Sequence, residues 1–104
     1  MTYIKINDTR YPAAFRGYER DRDWNDRESK AITLEMSYED AMAAFVDDLE
    51  WAIVYEDGEN TEIYDNSEYS VAGPVTDNRN GTVTVKMGKI TDGEALAELM
   101  EVLT

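Results

Sequence analysis

Two stretches of this chain alternate apolar and polar residues with a period of two, and that period constrains the fold more than any other feature. In residues 31–36, Ile32, Leu34 and Met36 share one face while Thr33 and Glu35 share the other. In residues 82–87, Val83, Val85 and Met87 face one way and Thr82, Thr84 and Lys86 the other. Successive side chains of a strand point to opposite faces, so each stretch predicts a strand with one side on a core and one in water. Shorter segments read the same way. Residues 3–6 predict a first strand, with Asn7-Asp8 turning the chain into a second at residues 10–15, and Pro12 marks that second strand as an edge strand because proline donates no ladder hydrogen bond. Residues 51–56 and 61–64 flank Asp57-Gly58, and residues 69–76 and 82–87 flank a segment ending in Asn80-Gly81, so each pair predicts a hairpin.

Helical signals interrupt this pattern twice. Ser37-Tyr38-Glu39-Asp40 has the spacing of a capping box and predicts a short helix over 38–46 that buries Tyr38, Met42 and Phe45. Thr91-Asp92-Gly93-Glu94 opens a second helix, where Ala95, Leu96, Leu99, Met100 and Leu103 form one stripe expected to pack on the sheet. The expected fold class is therefore α+β: a mostly antiparallel, curled sheet of about six or seven strands with one short internal helix and a C-terminal helix. A chain of 104 residues with no repeat or low-complexity linker is expected to form one domain over residues 1–104.

Composition narrows the chemistry. The chain has neither Cys nor His, so it offers no disulfide, no thiolate ligand, no Cys nucleophile and no imidazole base. Its 23 acidic and 10 basic residues give a formal net charge of -13. Such a field repels nucleic acid and anionic membranes, so direct binding to either is not expected. No segment approaches a membrane span and the N-terminus lacks a secretory pattern, which predicts residence in the cytoplasm of the producing cell. No metal site, cofactor or catalytic residue is expected. The series Asp21-Arg22-Asp23-Trp24-Asn25-Asp26 begins like a calcium loop, but Asp26 and Ile32 stand where such a loop needs Gly and a bidentate Glu. Paired carboxylates could serve acid-base chemistry, yet no pair is marked for burial, and Met87-Gly88-Lys89 is no phosphate loop.

Charge is also unevenly placed. Arg10, Arg16, Arg20, Arg22, Arg27 and Lys30 lie between positions 10 and 30, and no basic residue follows until Arg79. Between Tyr11 and Trp24, four aromatic residues alternate with Arg and Asp, and Tyr, Trp and Arg are the residue types that concentrate binding energy at protein interfaces. Tyr18, Arg20, Arg22, Trp24 and Arg27 are therefore the candidate partner-binding residues. A plainer reading has Phe15 and Trp24 anchoring a polar connection to the core. A basic aromatic strip on an acidic protein could also meet the acidic surface of another copy, head to tail.

The segments Tyr3-Ile4-Lys5-Ile6-Asn7, Tyr11-Pro12-Ala13, Asp23-Trp24-Asn25-Asp26-Arg27-Glu28-Ser29-Lys30 and Val71-Ala72-Gly73-Pro74-Val75-Thr76-Asp77-Asn78-Arg79-Asn80-Gly81-Thr82 resemble small uncharacterised phage and prophage proteins over most of the chain. The resemblance implies a bacterial host cell and a gene near tail or lysis functions. It also implies a tail or baseplate accessory protein, which would make the chain virion-associated. It supplies no catalytic residue and gives Asp23-Trp24-Asn25-Asp26-Arg27 no chemistry. The expected function is non-enzymatic: a structural or assembly protein that binds other proteins, either tail components or its own copies. The alternative is an acidic inhibitor that mimics nucleic acid, using the carboxylates of residues 31–70 against a nuclease or regulator of the host.

Overall fold

The computed structural model describes the backbone of residues 1–103 and the side chains of residues 1–101. Seven strands run in the order β1 (Thr2–Ile6), β2 (Thr9–Asp21), β3 (Arg27–Leu34), β4 (Trp51–Asp57), β5 (Asn60–Asp65), β6 (Val71–Asp77) and β7 (Val83–Gly88). Helix α1 (Tyr38–Ala44) follows β3, and α2 (Asp92–Leu103) follows β7. The strands form one antiparallel sheet in the spatial order β5-β4-β1-β2-β3-β7-β6, which does not close into a barrel. The expected α+β class is the one observed.

Strand β2 organises this sheet. Its first part pairs with β1, from Ile6 opposite Thr9 to Tyr3 opposite Pro12. Its remainder pairs with β3, beginning at Ala13 opposite Leu34. Two half-sheets thus share one 13-residue strand, and the handover falls between Pro12 and Ala13. Ile4, Ile6, Trp51 and Ile53 from one half join Ile32, Leu34, Val83, Val85 and Met87 from the other in one buried cluster. That convergence requires the sheet to curl, with both inner faces turned to the same core. The expectation that Pro12 marks an edge strand is corrected: β2 lies centrally, and proline is tolerated there because β3 pairing starts only at the next residue.

The predicted phases of β3 and β7 hold. Ile32, Leu34, Val83, Val85 and Met87 are buried, while Thr33 and Thr84 join hydroxyls at 3.0 Å on the outer face. Asn7 takes φ 55 in the turn between β1 and β2, and Gly58 takes φ 62 between β4 and β5. The β6–β7 connection differs from a two-residue Asn-Gly turn. It is a longer loop closed by Asn78 N–H donating to Thr82 O, with positive φ at Arg79 and Gly81.

Both helices start where the capping spacings place them. The Asp40 amide donates to Ser37 Oγ at 3.1 Å. Thr91 and Glu94 cap each other, with the Glu94 amide on Thr91 Oγ1 and the Thr91 amide on Glu94 Oε1. Their buried faces match the expected ones only at Phe45. In α1 the inward residues are Ala41, Ala44 and Phe45, whereas Tyr38 and Met42 are 45% and 50% exposed. The small Ala41 side chain lets the helix backbone approach the sheet, and Phe45, four residues on, follows it inward. In α2, Glu94, Ala97 and Glu98 line the side toward Asp47 and Val71. Leu96, Leu99 and Met100 fall on the opposite side of the helix at 56–60% exposure, so the expected packing of this stripe on the sheet is corrected. Ala95 is exposed as well, and the side chain of Leu103 lies outside the described residues.

The register yields a mutational test. Leu34→Ala and Val85→Ala each empty a fully packed site and should lower stability by ~2–4 kcal/mol. Thr84→Ala, at a half-buried outer position, should cost much less. Calorimetric melts that ranked the three alike would contradict the assigned register, because a slip of one residue exchanges the two faces.

Candidate protein-binding interface

The C-terminal half of β2 carries the residues singled out by composition. Here Tyr18 pairs with Ser29, and the ladder is irregular between Tyr18 and Asp21. Tyr18 lies on the outer face, half-buried, between two cations: the Arg16 guanidinium at 5.3 Å and Lys86 Nζ at 5.5 Å from its ring centre. Arg20 ends this exposed stretch, and Arg22 opens the 3-10 turn Arg22–Trp24 that follows. Arg16, Arg20 and Arg22 are all exposed, and none forms an ion pair with a carboxylate among the described residues. By contrast Arg10, Arg27, Lys86 and Lys89 are paired, with Glu56, with Glu94, with Asp21 and with Glu28 and Glu68 respectively. Three guanidinium groups without a carboxylate partner among the described residues therefore follow one another along the second half of β2 and the turn after it.

Asp21 serves the turn instead of opening a calcium loop. Lys86 Nζ donates to its Oδ2 at 2.6 Å, and its Oδ1 accepts the Asp23 amide at 3.2 Å. The hydrogen bond from Lys86 holds the Asp21 carboxyl below its ordinary pKa against the opposing effect of burial.

Two of the five expected contact residues pack against the body of the protein. Arg27 is only 3% exposed, which corrects its assignment to the binding surface. Its guanidinium grips both oxygens of Glu94, at 2.6 and 2.9 Å, donates to Lys89 O at 2.8 Å, and stacks 4.7 Å from the centre of the Trp24 ring. Burying a guanidinium is costly, and this bidentate, stacked arrangement offsets the cost. Trp24 is half-buried over Gly73 and Gly88: a Cβ added at either would lie 2.6 or 2.9 Å from its ring. The two glycines make room for the indole on the outer face. Trp24 and Arg27 thus anchor the β2–β3 connection, which is the plainer reading of Trp24, while Tyr18, Arg20 and Arg22 stay on the surface.

A second feature was not legible as a site in the sequence. On the concave face, Lys30, Ile53, Tyr55, Glu62, Tyr64 and Glu68 line an open depression of about 570 Å³. Tyr55 and Tyr64 meet edge to face at 5.7 Å, and Tyr64 Oη donates to Glu62 at 2.9 Å. The pairing of Ile53 with Tyr64 and of Tyr55 with Glu62 brings these residues together, a cross-strand relation that only the β4–β5 register reveals. At its back, Lys30 donates to Asn66 Oδ1, and Tyr69 Oη donates to Glu28 at 2.6 Å. Burial pushes Lys30 down and Tyr69 up in pKa, with Glu28 adding to the rise at Tyr69. The lining groups are already joined to one another, which makes this a structural network with a polar mouth.

Among the described residues, no helix is long and apolar enough to cross a membrane. Comparison with protein-family models, with curated proteins and with solved structures finds no match for this chain.

The Arg27–Glu94 pair gives a pH prediction. Glu94 is held down to about 2 from its ordinary 4.5, first by the hydrogen bonds from Arg27 and then by the Thr91 amide. A depressed carboxyl stabilises the folded state above its ordinary pKa, and that contribution is lost as pH falls from about 4.5 toward about 2. Wild-type protein should therefore release α2 in that window, seen as a loss of amide protection in residues 92–101. Glu94→Gln should weaken the attachment already at neutral pH and flatten the acid response. An acid response unchanged by Glu94→Gln would show that another carboxyl governs it.

Proposed function

We propose that this chain is a non-enzymatic structural or assembly protein that binds other proteins, of the kind carried by phages and prophages near their tail genes. The single observation that supports this reading is that Arg16, Arg20 and Arg22, in the stretch that carries Tyr18, are exposed and form no ion pair among the described residues of an otherwise acidic molecule. Each guanidinium can form two parallel hydrogen bonds with a partner carboxylate, and the tyrosine ring adds buried area with little loss of side-chain freedom. The resemblance of residues 3–7, 11–13, 23–30 and 71–82 to phage proteins adds the tail or baseplate setting, and with it a place in the producing bacterial cell or the virion.

The nucleic-acid-mimic alternative draws less support from the geometry. Several carboxylates it would use are engaged internally: Glu56 with Arg10, Glu68 with Lys89, Asp47 with the Ala72 amide and Asp65 with Ser67. A phosphate mimic needs such groups free and in rows.

Replacing Tyr18, Arg20 and Arg22 together by Ala should abolish co-purification with the partner and leave the melting temperature nearly unchanged. Retained association with intact folding would reject this surface. Loss of folding would show that the three side chains anchor β2 instead.

A further inference from the structure

Among the described residues, the outer edges of β6 and β5 and the side of β2 that β1 leaves uncovered are not alike. Beyond β6, the edge is blunted: the ladder is irregular between Ala72 and Val75 around Gly73-Pro74, Ala72 N–H is taken by Asp47 Oδ1 at 2.8 Å, and Asp48 N–H bonds Ser70 O. A bulge, a proline and side-chain cover are the ordinary means of blocking strand addition. The other two edges lack that protection. β5 is the last strand on its side, all six of its residues are exposed, and it contains no proline. On β2, β1 covers only residues 9–12, so no strand among the described residues pairs with the far side of residues 13–21. Gly17 lies mid-way along that edge with open space around it, which permits close approach of another backbone.

The two open edges also have opposite electrical character. The β2 edge carries exposed Arg16, Glu19 and Arg20, with Arg22 beyond them, and its Asp21 is neutralised by Lys86, so its balance is positive. The β5 hairpin presents Asp57, Glu59, Glu62 and Asp65 and no basic residue. Each edge adds apolar surface, with Ile63 and Tyr64 more than half exposed on β5 and Tyr18 half-buried on β2. Their usable lengths match: the regular part of the free β2 edge, residues 13–18, faces the six residues of β5, about 20 Å of ladder in each case.

We propose that copies of this chain associate head to tail, the β5 edge of one adding as a strand to the free β2 edge of the next. Pairing β5 on β5 would bring together two edges that carry only negative charges, whereas β5 on β2 sets them against an edge of positive balance. Heterologous pairing leaves one β2 edge and one β5 edge unused at the ends, so the assembly either closes into a ring or continues as a filament. This rests on the protein-binding reading of the β2 strip and names its partner as a second copy.

Sedimentation velocity on the purified chain at low ionic strength tests it. Wild-type protein should show sedimentation coefficients that rise with concentration. Arg16→Glu with Arg20→Glu, and separately Glu59→Lys with Glu62→Lys, should each weaken association by roughly tenfold or more, with unchanged melting curves. One chain carrying all four substitutions restores opposite charges across the contact and should associate again. A wild-type chain that stays monomeric, or a four-fold variant that fails to recover while folded, overturns the proposal. If the β2 pair of substitutions prevents folding, the exposed β5 pair decides alone: unchanged association in Glu59→Lys with Glu62→Lys overturns it. A monomeric wild type that still loses another protein partner on Tyr18, Arg20 and Arg22 substitution refutes self-assembly and leaves the protein-binding reading standing.

Discussion

The structure depends on one strand having two partners. Because β2 hands over from β1 to β3 between Pro12 and Ala13, the half-sheet of β1, β4 and β5 and the half-sheet of β3, β7 and β6 are joined through its backbone. Ile4 and Trp51 on one side and Leu34 and Val85 on the other then reach a common core. The same handover frees the far side of residues 13–21. Folding and exposure have one cause here: the strand that lets the sheet curl around its apolar residues must leave half of its own edge without a neighbour.

Order at the end of that edge comes from Arg27. Its buried guanidinium collects Trp24, the Lys89 carbonyl and the Glu94 carboxylate, and so ties the β2–β3 connection to the start of α2. Glu94 also caps its helix through Thr91, so one carboxylate both begins α2 and holds it. Glu94, Ala97 and Glu98 border the cleft beside Asp47 and Val71, and Leu96, Leu99 and Met100 are exposed on the other side of the helix. Arg20 and Arg22, which have no such partners among the described residues, are left on the surface.

Features set by local chemistry were legible in the sequence. Period-two alternation gave the buried faces of β3 and β7, positive-φ residues gave the turns at Asn7 and Gly58, and hydroxyl-to-acid spacing gave both helix starts. What was not legible depends on contacts distant along the chain. Nothing near Arg27 announces a carboxylate 67 positions later. The length of β2 was hidden because Gly17, Glu19 and Arg20 break the apolar alternation that marks a half-buried strand, and an edge position does not require it. In α1 the expected stripe through Tyr38, Met42 and Phe45 and the observed one through Ala41 and Phe45 are both helical in spacing, and only the approach of the helix to the sheet selects Ala41 over Tyr38 and Met42. The candidate strip was found by composition, yet its division into anchors and free groups needed the fold.

Amide hydrogen exchange measured as a function of protein concentration tests whether the free edge of β2 is a docking surface. Amides of residues 13–18 whose N–H groups face away from β3 should exchange quickly in dilute protein, because no strand covers them. With rising concentration they should gain protection together with amides of residues 60–65, while exchange at β6 stays constant. Exchange that is independent of concentration at both edges, or new protection confined to the exposed face of α2, would contradict the claim.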